Sequence, residues 1–127
     1  MNTKMQSLLN FPNFYEIVKN QKLPMKTAYK LAQLSKAIQG EIDFYREKFQ
    51  TLVWEYGEVD ENGQLIPTAD GTGIKLKPGT EPECYSAIHE LENLEVTLPD
   101  IKFSLDDFTN VELTTAEIEP ILPFIEE

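Results

Sequence analysis

The stretch from Pro24 to Tyr56 constrains the fold more than any other part of this sequence. After its first residue it holds no proline, and Gly57 follows it as a left-handed stop. Its apolar side chains, Leu31, Leu34, Ile38, Ile42, Tyr45, Phe49, Leu52 and Tyr56, stand three or four residues apart and so fall on one stripe of a helix. A continuous helix over this stretch is about 50 Å long at ~1.5 Å per residue. A compact chain of 127 residues has a diameter of only about 36 Å. The rod therefore either projects and pairs with another chain, or bends at Gly40 and folds back. The heptad series Leu31, Ile38, Tyr45, Leu52, interleaved with Ile42, Phe49 and Tyr56, favours pairing as an untidy, aromatic-rich coiled coil. An oligomer interface is expected at Leu31, Ile38, Ile42, Tyr45, Phe49 and Leu52, with core packing as the other use of the same stripe.

The flanking segments are shorter. Asn10 ahead of Phe11-Pro12 suggests a capped helix from about Phe11 to Lys19, because proline is tolerated in a first turn. A linker, Asn20 to Pro24, would complete an N-terminal helical hairpin. After Gly57 the composition shifts to turn residues, Asp60-Glu61-Asn62-Gly63 and Asp70-Gly71-Thr72-Gly73, which predict a small β-hairpin. Thr80 with Glu83 forms a capping-box pattern ahead of a helix running to about Asn93. Glu95 to Leu98 and Ile101 to Phe103 resemble strands, Ser104 to Phe108 a helical turn, and Thr114 to Glu117 a second capping box. The expected class is α+β in a single domain, residues 1–127: a helical region, 1–57, and a small β-rich acidic lobe with a further helix, 58–127.

Charge divides along the same line. The formal net charge is −11, yet residues 1–57 carry eight Lys/Arg against five Asp/Glu, while only Lys75, Lys77 and Lys102 oppose seventeen acids from Glu58 onward. Such a surface repels nucleic acid and anionic membranes and draws basic proteins. No apolar run approaches the ~20 residues needed to span a bilayer. The single cysteine, Cys84, allows no intramolecular disulfide and suits a reducing compartment, so a cytosolic protein is expected.

Catalytic patterns are sparse. His89 and Cys84 are the only residues of their kinds; five apart on a helix they point about 140° from each other, a poor dyad. His89 has no second nitrogen or sulfur ligand at a coordinating spacing. The two Asp/Gly-rich turns lack the ligand series of a calcium loop, and no Gly-Lys-Ser/Thr follows Gly71 and Gly73. Lys26, Lys30 and Lys36, with Tyr29 among them, make a basic run that Glu41, Asp43 and Glu47 break; it reads as a solvated face rather than a phosphate-binding stripe. No enzymatic residue, cofactor or metal is expected.

Several phrases carry a resemblance: Leu8-Leu9-Asn10-Phe11, then Lys22-Leu23-Pro24-Met25-Lys26-Thr27-Ala28-Tyr29-Lys30-Leu31, Glu55-Tyr56-Gly57-Glu58, Asp60 to Gly63, and the stretch from Leu113 to Glu127. Over nearly its full length the chain resembles a family of small, uncharacterised bacteriophage and prophage proteins. The resemblance implies a phage origin, residence in the host cytoplasm or the virion, and no established enzymatic activity. The expectation is a non-catalytic phage accessory protein that acts through protein–protein contact, as a homo-oligomer or with a phage or host protein. The alternative is an inhibitor of a host defence nuclease, of anti-CRISPR or anti-restriction type, whose Glu81, Glu83, Glu90, Glu92, Glu95, Asp106 and Asp107 imitate the DNA backbone.

Overall fold

A computed structural model describes residues 1–126. The class is α+β: four α-helices, one of them long, and one two-stranded antiparallel sheet among the described residues. The chain forms two compact units, Met1–Ile42 with Glu95–Glu127, and Asp43–Leu94. The division differs from the expected one at residue 57, because the last third of the sequence returns to the N-terminal segment.

That return is made first by strand pairing. Strand β1, Asn2–Lys4, lies antiparallel to β2, Glu95–Thr97, with Thr3 opposite Val96. Helix α1, Phe11–Val18, buries Phe11, Phe14 and Val18. Its rings meet aromatic partners from the far end of the chain: Phe11 lies edge-on to Phe124 at 6.4 Å and Phe14 edge-on to Phe108 at 6.0 Å, while Phe103 sits 5.4 Å from Phe108. The expected helical hairpin is corrected here, since α1 packs chiefly against the C-terminal turns, α4 (Thr115–Ile118) and the 3-10 segment Glu119–Phe124. Five phenylalanines bury more apolar surface than a two-helix contact offers.

Helix α2, Met25–Tyr56, is continuous through Gly40. Its first eighteen residues belong to the first unit, where Leu31, Leu34, Ile38 and Ile42 are at most 3% exposed. A second correction follows: Leu31, Ile38 and Ile42 are enclosed by their own chain, so no continuous seam from Leu31 to Leu52 is presented to a partner. Only Tyr45, Phe49 and Leu52 stay half-exposed.

In the second unit the expected hairpin is replaced by three extended segments joined by isolated bridges, Gly57 with Leu76, Val59 with Leu65 and Pro67 with Ile74. Their backbone bonds close on themselves. Glu58 N–H donates to Lys75 C=O at 2.8 Å, Lys75 N–H to Ile66 C=O at 2.8 Å, and Ile66 N–H to Glu58 C=O at 3.0 Å. Gly63 and Gly71 take φ of 77° and 74° at the turns between segments, conformations that other residues seldom adopt. At the second turn Thr68 Oγ1 donates to Asp70 Oδ1 at 2.6 Å and the Thr72 N–H reaches the same oxygen at 3.2 Å. These bonds hold the Asp70 carboxyl below its usual range. Helix α3, Glu81–Glu92, completes the unit.

Candidate functional site

The second unit encloses little of its apolar surface. Cys84 and Leu91 are its only buried hydrophobic side chains among the described residues, whereas Phe49, Leu52, Val53, Leu65, Ile74, Leu76 and Ile88 are half-exposed. All seven line one groove of about 480 Å³, walled by α2, the bridged segments and the Cys84, Tyr85 and Ile88 turns of α3. Gln50, Thr72 and Gly73 add its few polar edges. Tyr45 extends the α2 wall by stacking on Phe49, 5.9 Å between ring centroids, and Tyr85 stands 63% exposed at the mouth.

Two α2 tyrosines outside the groove lining respond to nearby acids. Burial first, and the Glu92 carboxylate second, push the Tyr45 hydroxyl above its ordinary value. Burial, then Glu55, Glu83 and Cys84, do the same to Tyr56. Tyr45 is thus within electrostatic reach of Glu92 in the last turn of α3, and Tyr56 of Glu83 in its first turn. The unit holds eleven Asp/Glu and four Lys/Arg, a balance of −7. One of the bases is neutralised locally, Lys75 by Glu58 at 3.3 Å.

The sequence-derived candidates distribute unevenly over this geometry. Phe49 and Leu52 line the groove and Tyr45 flanks it, while Leu31, Ile38 and Ile42 lie in the core of the other unit. Of the seven acids assigned to DNA mimicry, Glu81, Glu83, Glu90 and Glu92 belong to α3 and Glu95, Asp106 and Asp107 to the other unit. At about 100° per residue, Glu81 and Glu92 share one side of α3, and Glu83 and Glu90 the opposite side. No single acidic face arises on that helix.

Cys84 is buried and its thiol is pushed up by burial, the reverse of an activated nucleophile. The exposed His89 ring lies 3.3 Å from the Asn93 side-chain nitrogen. Among the described residues no three His, Cys, Asp or Glu side chains gather as metal ligands, and no helix is long and apolar enough to cross a membrane. A larger hollow of about 570 Å³ in the first unit is walled by Asn10, Asn13, Pro120 and the cap residue Glu117. Sequence reasoning missed the contributions of Leu65, Ile74 and Leu76; the alternation of Ile74 and Leu76 with Lys75 and Lys77 was the available signal for two of them. Comparison with family models, curated proteins and solved structures returns no match.

Proposed function

We propose that this chain is a non-catalytic protein-binding module whose second unit takes a cationic amphipathic helix from a partner protein. The observation that carries this reading is the half-exposed apolar groove on a unit with a charge balance of −7. An apolar trough of this kind accepts an apolar helix stripe, and the surplus of acids in the unit selects Lys or Arg on the flanks of the incoming helix. A second copy is the weaker fit, since each chain carries −11 and like charges repel. The nuclease-inhibitor alternative loses support from the opposed placement of the α3 acids. A phage setting for the module rests on the sequence phrases alone.

The test is calorimetric titration with a synthetic Leu/Lys amphipathic helix of four turns, beside its Leu/Glu counterpart. The Leu/Lys helix is expected to bind one to one and the Leu/Glu helix not to bind. Tyr85→Ser should weaken binding about tenfold, the loss of an aromatic anchor. Glu83→Gln with Glu92→Gln should weaken it and flatten its salt dependence. Equal binding of both helices, or of neither, would overturn the proposal. Light scattering on the free chain checks the self-association expected from the sequence, and a tight dimer would place that second copy in the groove instead.

A further inference from the structure

We infer that the hollow between α1 and the C-terminal turns is a binding site for a neutral mono- or disaccharide. It lies wholly within the first unit and measures about 570 Å³, a size usual for small-molecule sites. The groove that takes a partner helix belongs to the other unit, so neither reading rests on the other.

One wall carries uncharged hydrogen-bonding side chains. The 3-10 turn Met5–Leu8 buries Met5 and Leu8, which leaves Gln6 and Ser7 to line the hollow. In α1 the buried stripe Phe11, Phe14 and Val18 leaves Asn10 and Asn13 to line it in the same way. Asn10 stands at the cap position of α1 without using its side chain as a cap. All four polar residues are exposed, so their donors and acceptors are open to a ligand.

The facing wall is acidic and stiff. The Glu117 carboxylate is held by its capping box, in which Oε1 accepts the Thr114 N–H at 2.8 Å, and this leaves Oε2 for a ligand donor. Glu119 supplies a second carboxylate, with Pro120 and Pro123 beside it. The proline rings fix φ along this 3-10 segment, and the buried Ile121 and Phe124 anchor it. The wall is therefore set before a ligand arrives, and little ordering is required on binding. Together with Phe14 and Ile17 the prolines give the hollow its apolar faces.

This lining selects among ligand classes. No Lys, Arg or His lines the hollow among the described residues, so its two carboxylates repel phosphates and carboxylic acids. Each Asn or Gln amide brings two N–H donors and a carbonyl acceptor. A ligand that only donates, an ammonium or a guanidinium, satisfies the carboxylates but leaves the amide N–H groups without an acceptor. A hydroxyl both donates and accepts. Neighbouring sugar hydroxyls thus donate to Glu117 and Glu119 and accept from Gln6, Asn10 and Asn13, while the C–H face of the ring lies on Pro120 and Pro123.

The probes are maltose, cellobiose and N,N′-diacetylchitobiose, with inorganic phosphate and spermidine as charged counterparts, each titrated at millimolar concentration into the isotopically labelled full chain. The side-chain NH₂ resonances of Gln6, Asn10 and Asn13 report contact directly by NMR. Saturable shifts of these resonances are expected with at least one of the disaccharides and with neither phosphate nor spermidine. Asn13→Ala, at an exposed position, should weaken the responding sugar about tenfold, the loss of one amide's hydrogen bonding. Glu119→Gln keeps an acceptor and removes the charge, so it should weaken the sugar only about threefold, whereas it would abolish a response to spermidine. Asn20→Ala, outside the hollow, should leave affinity unchanged. Absence of saturable shifts with every disaccharide would overturn the site, and saturation by spermidine in their place would overturn the choice of ligand. Equal affinity in Asn13→Ala and the unaltered chain would overturn the assigned contacts.

Discussion

Two glycines of the long-helix region show how position decides the effect of a single methyl. At Gly40 a Cβ would meet nothing within 4 Å. Gly40→Ala is therefore expected to stabilise the chain by about 1 kcal/mol, the difference in helix propensity, read as a raised urea midpoint. At Gly57 a Cβ would collide with the Val53 carbonyl oxygen and lie 2.6 Å from Leu65 Cδ2. Gly57→Ala should cost about 1–3 kcal/mol in the same measurement. The sequence marked Gly57 as a left-handed stop, but its φ is not positive; glycine is needed there for the close approach of Val53 and of Leu65, eight positions on, which the spacing did not reveal. Titrating groups of the second unit add a pH signature. Cys84, Tyr45 and Tyr56 are all held above their ordinary values, which are about 8.5 for a thiol and about 10 for tyrosine. An acid whose folded value is raised contributes stability that is complete below its unfolded value and lost as pH rises through the folded one. The urea midpoint followed by Trp54 fluorescence should therefore fall between neutral pH and the titration range of tyrosine, and Tyr45→Phe with Cys84→Ala should flatten that fall.

Helix caps divide sharply between those legible in the sequence and those not. At Thr114 the capping box forms as its spacing predicts: Thr114 N–H donates to Glu117 Oε1 at 2.8 Å and Glu117 N–H to Thr114 Oγ1 at 3.2 Å. At Thr80 the same pattern fails, because the hydroxyl donates backward to the Lys77 carbonyl at 2.6 Å and accepts no α3 amide. The Pro78-Gly79 turn brings that carbonyl within reach, so a local acceptor three residues back competes with the cap. Asn10 stands at the predicted place without making a side-chain cap. Thr114→Ala is expected to lower stability by about 1 kcal/mol in urea unfolding. Helix α2 itself was legible to within a residue at each end, since a long proline-free amphipathic run has few other solutions. Its partners were not, as periodicity defines a buried face without naming what covers it. Half of the predicted interface stripe is core for that reason, and the groove side chains Leu65, Ile74 and Leu76 went unassigned.

Two units of unequal interior share one helix. The first encloses Phe11, Phe14, Phe103, Phe108 and Phe124 with the aliphatic stripe Leu31 to Ile42, and the second buries only Cys84 and Leu91 among its hydrophobic side chains. Local stability follows buried apolar contact. Amides from Leu31 to Ile42 should therefore exchange with deuterium more slowly than those from Tyr45 to Tyr56, although both lie in α2. Charge asymmetry was readable in the sequence, yet the unit boundary was not, because it depends on the β1–β2 pairing of residues more than ninety positions apart. The weakly packed unit also contains the circuit of Glu58, Ile66 and Lys75, in which every amide and carbonyl already has its neighbour. An open sheet always has outermost strands with spare donors and acceptors, the template on which stray chains stack into fibrils. A closed circuit offers no such rim at these residues, so Glu58, Ile66 and Lys75 have no spare amide or carbonyl with which to recruit a foreign strand.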